Sequence, residues 1–192
     1  MNFLAHLFLS GPHDERMVGN FIADSVKGSA ISNYSPDVQQ GIKLHHAIDH
    51  FTDNHAVMLK SKERLRERYG KYSPVVSDIF YDHFLATHWE DYSEVSLRAY
   101  ADETYKFLGT HFSMFPERSK QFYTYMTKYD ILFAYQKIEG IEKVMQGMSR
   151  RAKFESHMET AANELQNGYE DYKSEFREFF PDLQGHVLND KI

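Results

Sequence analysis

The stretch SPDVQQGIKLHHAIDHFTDN, residues 35–54, decides the fold of this chain. Ser35 followed by Pro36 is typical of a helix start, because serine can cap the first free N–H groups and proline fits the first helical position. The apolar residues that follow recur every three or four positions, as they do on one face of an α-helix. The stretch therefore predicts a helix that runs on towards Tyr69, with a break near residues 52–54.

The rest of the chain repeats this helical pattern. Ser73 and Pro74 give a second start signal, for a helix towards Trp89. Strand signals, which would be alternating β-branched runs bounded by tight turns, are weak. We predict a single all-α domain, a helical bundle over residues 1–192. Its further helices are expected at 95–112, from Pro116, at 138–148 and at about 154–180, where Pro181 ends the last one.

The composition limits the chemistry. The 192 residues carry a net charge of −6 and contain no cysteine, which excludes disulfides, zinc–thiolate sites and cysteine nucleophiles. A negative chain is also a poor partner for nucleic acid, because phosphate binding needs a basic face. The apolar opening MNFLAHLFLS, residues 1–10, lacks the basic start of a secretory signal and is split by His6, so we interpret it as a core helix. No run reaches about 18 apolar residues, and we expect a cytoplasmic protein with no membrane partner.

Imidazoles and carboxylates are concentrated in the first half of the chain, many of them inside apolar runs. An unpaired charge there would be costly, so such groups usually satisfy one another or bind a metal. Four separate segments each offer one or more of them, and helical bundles build metal sites from side chains that project inward from facing helices. The set comprises His6, Asp24, His45, His46, Asp49, Asp78, Asp82 and His83.

Helical spacing groups these residues further. His45 and Asp49 are four residues apart, and His46 and Asp49 are three apart, so either pair can share a helix face. Asp78 and Asp82 are also four apart. Two carboxylates on one helix face repel each other unless a positive group lies between them.

Taken together, the set predicts a mixed histidine–carboxylate metal site, with metal-assisted hydrolysis as its chemistry. Single residues have ordinary alternatives: His6 as a satisfied core histidine, and Asp78 as a helix cap or the partner of an arginine. Several familiar motifs are absent, namely the HExxH zinc motif, the Walker loop, the GxSxG nucleophile elbow and the dinucleotide glycine fingerprint.

The blocks that carry these residues resemble one known family, the acyl carrier protein phosphodiesterases. The similarity keeps the same order from residue 1 to about residue 155 and continues loosely to the end. The matching blocks are MNFLAHL at 1–7, GNFIADSVKG at 19–28, GIKLH at 41–45 with ID at 48–49 and TDN at 52–54, DHFL at 82–85 with His88 and Trp89 after it, and GMSRR at 147–151.

The resemblance implies an all-helical fold like that of the HD-domain phosphohydrolases and a divalent metal, usually Mn²⁺, with Mg²⁺, Fe²⁺ and Zn²⁺ as alternatives. It implies hydrolysis of the phosphodiester that joins 4′-phosphopantetheine to a serine of holo acyl carrier protein, in the context of fatty acid biosynthesis. The consecutive His-Asp dyad of ordinary HD enzymes is missing here. His46 and Asp49 are separated, and Asp82 and His83 stand in the reverse order.

On this basis we assign the metal-site candidates His6, Asp24, His45, Asp49 and Asp82. Asp24 is also a catalytic candidate. His83 is the candidate general acid or phosphate contact, and His46 is its rival. The candidates for holding the phosphate or an acidic carrier protein are Lys27, Arg150 and Arg151.

An acidic chain needs a local basic strip to bind an acidic carrier protein, and two segments offer one: Lys60–Arg68 and Arg150–Lys153. The first of these is expected to be mainly a solvated helix face. Two other functions fit the residues. One is hydrolysis of a nucleotide or another small phosphodiester, and the other is non-enzymatic binding of carrier protein, in which the polar residues satisfy one another.

Overall fold

Residues 1–189, the part of the chain that the computed structural model describes, form helices around one apolar core and contain no strand. The all-α prediction is therefore confirmed. The α-helices of this part are α1 Phe3–Leu9, α2 Glu15–Ile22, α3 Pro36–Asn54, α4 Ala56–Tyr69, α5 Ser73–Thr87, α6 Leu97–Thr110, α7 Glu117–Lys128, α8 Ile131–Ala134, α9 Ile138–Arg151, α10 Ala161–Asn167 and α11 Tyr169–Asn189. Two short 3-10 segments follow α2, at Ala23–Ser25 and Gly28–Asn33.

The helix predicted from residue 35 forms and breaks where the sequence indicated. Ser35 caps α3, since its Oγ accepts a hydrogen bond from the N–H of Val38 at 3.3 Å. α3 ends just before His55, which starts α4 by accepting the N–H of Val57 on its Nδ1, also at 3.3 Å. The second start signal opens α5, but Ser73 lies within the helix and no side chain caps its start.

The prediction for the C-terminal part is wrong in its details. Residues 154–180 do not form one helix, because α10 and α11 are separate and divided at Gly168. Pro181 lies inside α11, although an interior proline removes a backbone hydrogen bond and costs about 3 kcal/mol. Burial of the neighbouring apolar side chains outweighs this cost. These fully buried side chains are Phe179, Phe180 and Leu183. α9 also continues past Met148, its predicted end, to Arg151.

Two glycines let α2 and α3 pack with their backbones in contact. A Cβ atom at Gly19 of α2 would lie 2.0 Å from the carbonyl oxygen of Val38. A Cβ atom at Gly41 of α3 would lie 1.9 Å from the carbonyl oxygen of Arg16. Neither position has room for a side chain, and the close approach places Asn20, the residue after the first glycine, directly against α3.

α1 is a core helix, as its apolar sequence indicated. Leu4, Ala5 and Leu7 are fully buried, and the helix packs against α2 and α5. This packing carries His6 to the inner side of the bundle. Within residues 1–189, no helix is both long enough and apolar enough to traverse a membrane.

Candidate metal centre

Side chains from α1 and α3 meet at one point. The group consists of His6 on α1 and of His45 and Asp49, which lie one turn apart on α3. Each residue offers one donor atom, and the three donor atoms lie within 4.8 Å of one another. Nε2 of His6 lies 3.2 Å from Oδ1 of Asp49, and Nε2 of His45 lies 3.2 Å from its Oδ2. Both imidazoles are nearly buried, at 4% and 6% exposure, whereas the Asp49 side chain is 43% exposed. The cluster therefore lies at the edge of the core, with one side open to solvent.

A single buried amide holds both rings. Oδ1 of Asn20 on α2 lies 3.0 Å from Nδ1 of His6 and 3.0 Å from Nδ1 of His45. Its Nδ2 donates to the carbonyl oxygen of His6 and to Oγ of Ser10, both at 2.9 Å. These two donated bonds fix the amide, so Oδ1 must face the rings. Because that oxygen only accepts, each ring carries its proton on Nδ1 and turns Nε2 towards the cluster.

This arrangement concentrates hydrogen-bond acceptors at one point. Once each Nδ1 holds a proton, two Nε2 lone pairs face the carboxylate of Asp49. Without a cation, they are satisfied only if both rings are also protonated on Nε2. The ring centroids of His6 and His45 are 4.3 Å apart, so two imidazolium charges would repel strongly. A divalent cation satisfies all three groups, and this donor set suits Mn²⁺, Fe²⁺ or Zn²⁺, so the residues fit a metal.

The proton affinities of the cluster differ widely when it holds no cation. Burial lowers the pKa of His6 to about 4. Burial also opposes a charge on His45, but the carboxylates of Asp24 and Asp49 outweigh it and raise the pKa of that ring to about 9. Burial would raise the pKa of Asp49, yet the neighbouring rings, above all protonated His45, outweigh burial and hold it well below the usual range. At neutral pH the His45 ring therefore carries the proton that a metal ion must displace.

Asp24 and His46 border the cluster on its solvent side. Oδ1 of Asp24 lies 3.5 Å from Nε2 of His45, and the side chain is 61% exposed. The hydrogen bond from His45 lowers the pKa of Asp24. His46 is exposed on α3, with its ring centroid 5.7 Å from that of His45. Asp53 does not extend the cluster, because it pairs with Lys62 at 2.7 Å.

The sequence is similar to known proteins along nearly its whole length. A family model described as acyl carrier protein phosphodiesterase matches residues 1–183. The chain belongs to the acyl carrier protein phosphodiesterase family. Relatives of that name from Photorhabdus laumondii and Salmonella paratyphi A are 30% and 31% identical to it, over 98% and 97% of this chain and 96% and 97% of their own lengths. No solved structure matches, so the likeness to HD-domain enzymes stays a prediction.

In this member of the acyl carrier protein phosphodiesterase family, Asp82 lies outside the cluster. Its buried carboxylate accepts hydrogen bonds from the backbone N–H groups of residues 2, 4 and 5, at 2.8 to 3.3 Å, and so caps the start of α1. The carboxylate of Asp78 pairs with the α-ammonium of Met1 at 3.0 Å. The partners of these two carboxylates are therefore supplied at the start of α1, an ammonium for Asp78 and backbone N–H groups for Asp82. Asp82 positions the helix that carries His6.

His83 also lies away from the cluster. It is 2% exposed, and its Nδ1 donates to the carbonyl oxygen of Tyr135 at 2.8 Å. Burial lowers the pKa of His83, which favours the neutral ring. The residue belongs to the core between α5 and the turn after α8, and the prediction that it contacts the phosphate has no geometric support.

The predicted basic contacts are dispersed. Lys27 is exposed and lies three residues after Asp24 in the sequence. Arg150 and Arg151 lie at the end of α9, which packs against α5, α8 and α10. The guanidinium of Arg151 stacks over the ring of Tyr125 at 5.0 Å. Among the three, only Lys27 is close in sequence to Asp24, which borders the cluster.

Two residues of this family member were not predicted from its sequence. Asn20 stands out only as a polar amide within the buried part of α2, a signal that the glycine beside it could have strengthened. Arg118 on α7 is exposed, and its charge contributes to lowering the pKa of Asp24. No local pattern connects residues so far apart in the chain, so only the fold could identify Arg118.

Proposed function

We propose that this protein is a divalent-metal-dependent phosphodiesterase that releases 4′-phosphopantetheine from holo acyl carrier protein and leaves the apo form. The observation that carries the proposal is the pair of rings, His6 and His45, which Asn20 holds with both Nε2 atoms directed at Asp49. Membership of the acyl carrier protein phosphodiesterase family indicates the substrate. Mn²⁺ is the expected metal, and Mg²⁺, Fe²⁺ and Zn²⁺ are the alternatives.

Hydrolysis of a phosphodiester needs positive charge near phosphorus, because the substrate is itself anionic. It also needs a base that takes a proton from the attacking water. When bound, a divalent cation neutralises the diester and makes water a stronger acid. His6, His45 and Asp49 are the residues that would hold it, and Asn20 keeps both rings in the tautomer that this requires. Asp24, the exposed carboxylate beside His45, accepts the proton of the attacking water in this scheme.

The bond that breaks joins phosphorus to the serine oxygen of the carrier protein. That oxygen leaves as a high-energy alkoxide unless it receives a proton. His46 is exposed beside the cluster and can donate this proton, whereas His83 is buried elsewhere. We therefore assign the role of general acid to His46. The oxygen of water ends on the phosphate of 4′-phosphopantetheine, and the carrier protein regains its serine hydroxyl.

The reaction can be tested by mass spectrometry of holo acyl carrier protein after incubation with this protein, from which a chelator has first removed any metal. Added Mn²⁺ should cause the carrier to lose the mass of its prosthetic group, and chelator alone should not. Asp49→Asn keeps the size of the side chain but removes its charge, so it should abolish the loss. If the Asp49→Asn protein retains its helical circular dichroism and still releases the group, the proposal is wrong.

Two exposed histidines on α3 give a matched test of the proton donor. His46→Ala should lower kcat by at least about 100-fold, the lower end of the usual contribution of a general acid, while His50→Ala should leave kcat unchanged. Faster cleavage of a chromogenic diester than of holo carrier protein would favour the small-phosphodiester alternative. A protein that binds carrier but neither binds metal nor releases the group would be a non-enzymatic binder.

A further inference from the structure

The substrate of the proposed function sets a strict limit on where a carrier protein can dock. Its phosphorus is bonded to a serine oxygen, so the Cα atom of that serine lies within about 4 Å of phosphorus. The surface of the carrier around the serine must therefore press against the surface that surrounds Asp24 and His46. The inference below rests on the proposed function for this geometric limit.

Two segments make up the surface beside Asp24. Ser119 on α7 donates a hydrogen bond from its Oγ to Oγ of Ser25 at 2.8 Å, which fixes the first turn of α7 next to the 3-10 turn that carries Asp24. The hydroxyl of Tyr34 contacts the carbonyl oxygen of Met114 at 3.5 Å. Residues 25–34 and 112–120 therefore form one continuous surface, which we call the α7 face.

The α7 face combines cations without an ion-pair partner and an exposed aromatic ring. Lys27 and Arg118 are both exposed, and neither forms an ion pair with any residue in 1–189. Phe112 is 36% exposed, and Nζ of Lys120 lies 5.8 Å from the centre of its ring. Arg118 directly precedes Ser119, whose hydrogen bond to Ser25 places this turn beside the 3-10 turn that carries Asp24. Such a surface suits a partner that carries carboxylates and an apolar patch around its modified serine.

The two basic segments that the sequence offered for docking are less available to a partner. In the segment Lys60–Arg68, Lys60 and Arg64 bind the buried carboxylate of Glu175. Lys62 pairs with Asp53, and Arg66 pairs with Glu63 in the same helix. Most of these cations are therefore committed within the chain. In the run at the end of α9, the guanidinium of Arg151 is already engaged in stacking over the ring of Tyr125 at 5.0 Å.

We infer that the α7 face is the docking surface for the acidic carrier protein, with Lys27 and Arg118 contacting carboxylates next to the phosphorylated serine. Binding there would set the serine oxygen beside His46 and the diester at the cluster of His6, His45 and Asp49. Glu117, beside Arg118 on the same turn, is the acidic residue that limits the affinity of this surface.

Anisotropy of fluorescently labelled holo acyl carrier protein, with a chelator present, measures docking without turnover. Arg118→Glu and Lys27→Glu should each weaken binding about fivefold, and the effect should shrink at high salt. Glu117→Lys should strengthen binding. Arg177→Glu changes an exposed arginine on α11 and should bind like the unmodified protein. Circular dichroism melting of each variant verifies that it remains folded.

Unchanged binding by both Arg118→Glu and Lys27→Glu, or a larger loss from Arg150→Glu, would overturn the inference. A second arm uses a small chromogenic diester with Mn²⁺. If Arg118→Glu raises KM for that diester as much as it weakens carrier binding, Arg118 acts on the phosphate and the docking role is wrong. Because anisotropy requires no hydrolysis, unmodified protein that binds the carrier on this face but releases nothing would refute the proposed function alone.

Discussion

Asn20→Ala is the most informative substitution, because one side chain orients both imidazoles. Asn20 is 1% exposed and makes four hydrogen bonds, two with ring Nδ1 atoms and two with the carbonyl oxygen of His6 and Oγ of Ser10. Losing the outer partner of one metal ligand usually weakens metal binding about 10- to 100-fold. Since the two rings share a single amide, we expect a combined loss of about 100-fold, which is about 2.7 kcal/mol.

The same change should also destabilise the metal-free protein. Each buried polar group left without a partner costs about 1–3 kcal/mol, and water entering the vacated space offsets part of this, so we expect a net loss of about 2 kcal/mol. Competition with a chromogenic chelator gives the Mn²⁺ affinity, and urea unfolding gives the stability. Ser10→Ala is the control. It removes a hydrogen-bond partner of Asn20 but no partner of either imidazole ring, so it should leave the Mn²⁺ affinity nearly unchanged. Folded Asn20→Ala protein that binds Mn²⁺ as tightly as the unmodified protein would refute the reasoning.

Three further outcomes follow from the geometry. Apparent metal affinity should rise about tenfold per pH unit and level off above about pH 9, because His45 must lose its proton; titration calorimetry that shows no rise would contradict this. Gly41→Ala should destabilise the protein by about 3 kcal/mol in urea, since its Cβ would lie 1.9 Å from the carbonyl oxygen of Arg16. Asp82→Ala should lower the free energy of unfolding by about 2 kcal/mol, and Asp82→Asn, which keeps an acceptor for the start of α1, should lower it less. Equal losses in the last two variants would argue against capping.

The helices could be predicted because their signals are local. Ser35 and Pro36 predict the start of α3, and the four-residue spacing of His45 and Asp49 places both on one face of that helix. Pro181 shows where this reasoning fails: local preference ends a helix there, but the buried side chains around it keep α11 continuous. Packing between distant segments decided the outcome.

The candidate site was predictable only in part, for the same reason. A buried carboxylate can bind a metal ion or cap the start of a helix, and the sequence around Asp82 does not distinguish the two roles. The fold does, because it places the first turn of α1 against that carboxylate. Likewise, the backbone contact of α2 and α3 at Gly19 sets Asn20 beside the rings, a relation that no spacing along the chain encodes.

The existence of a metal centre is the claim on which the rest depends, and electron paramagnetic resonance of Mn²⁺ tests it directly. Adding Mn²⁺ to the chelated protein should remove the signal of the free ion until one ion is bound per chain. Asp49→Ala and His45→Ala should leave that signal at full strength from the first addition. A free-ion signal that persists with the unmodified protein, or binding that survives in both variants, would contradict the account.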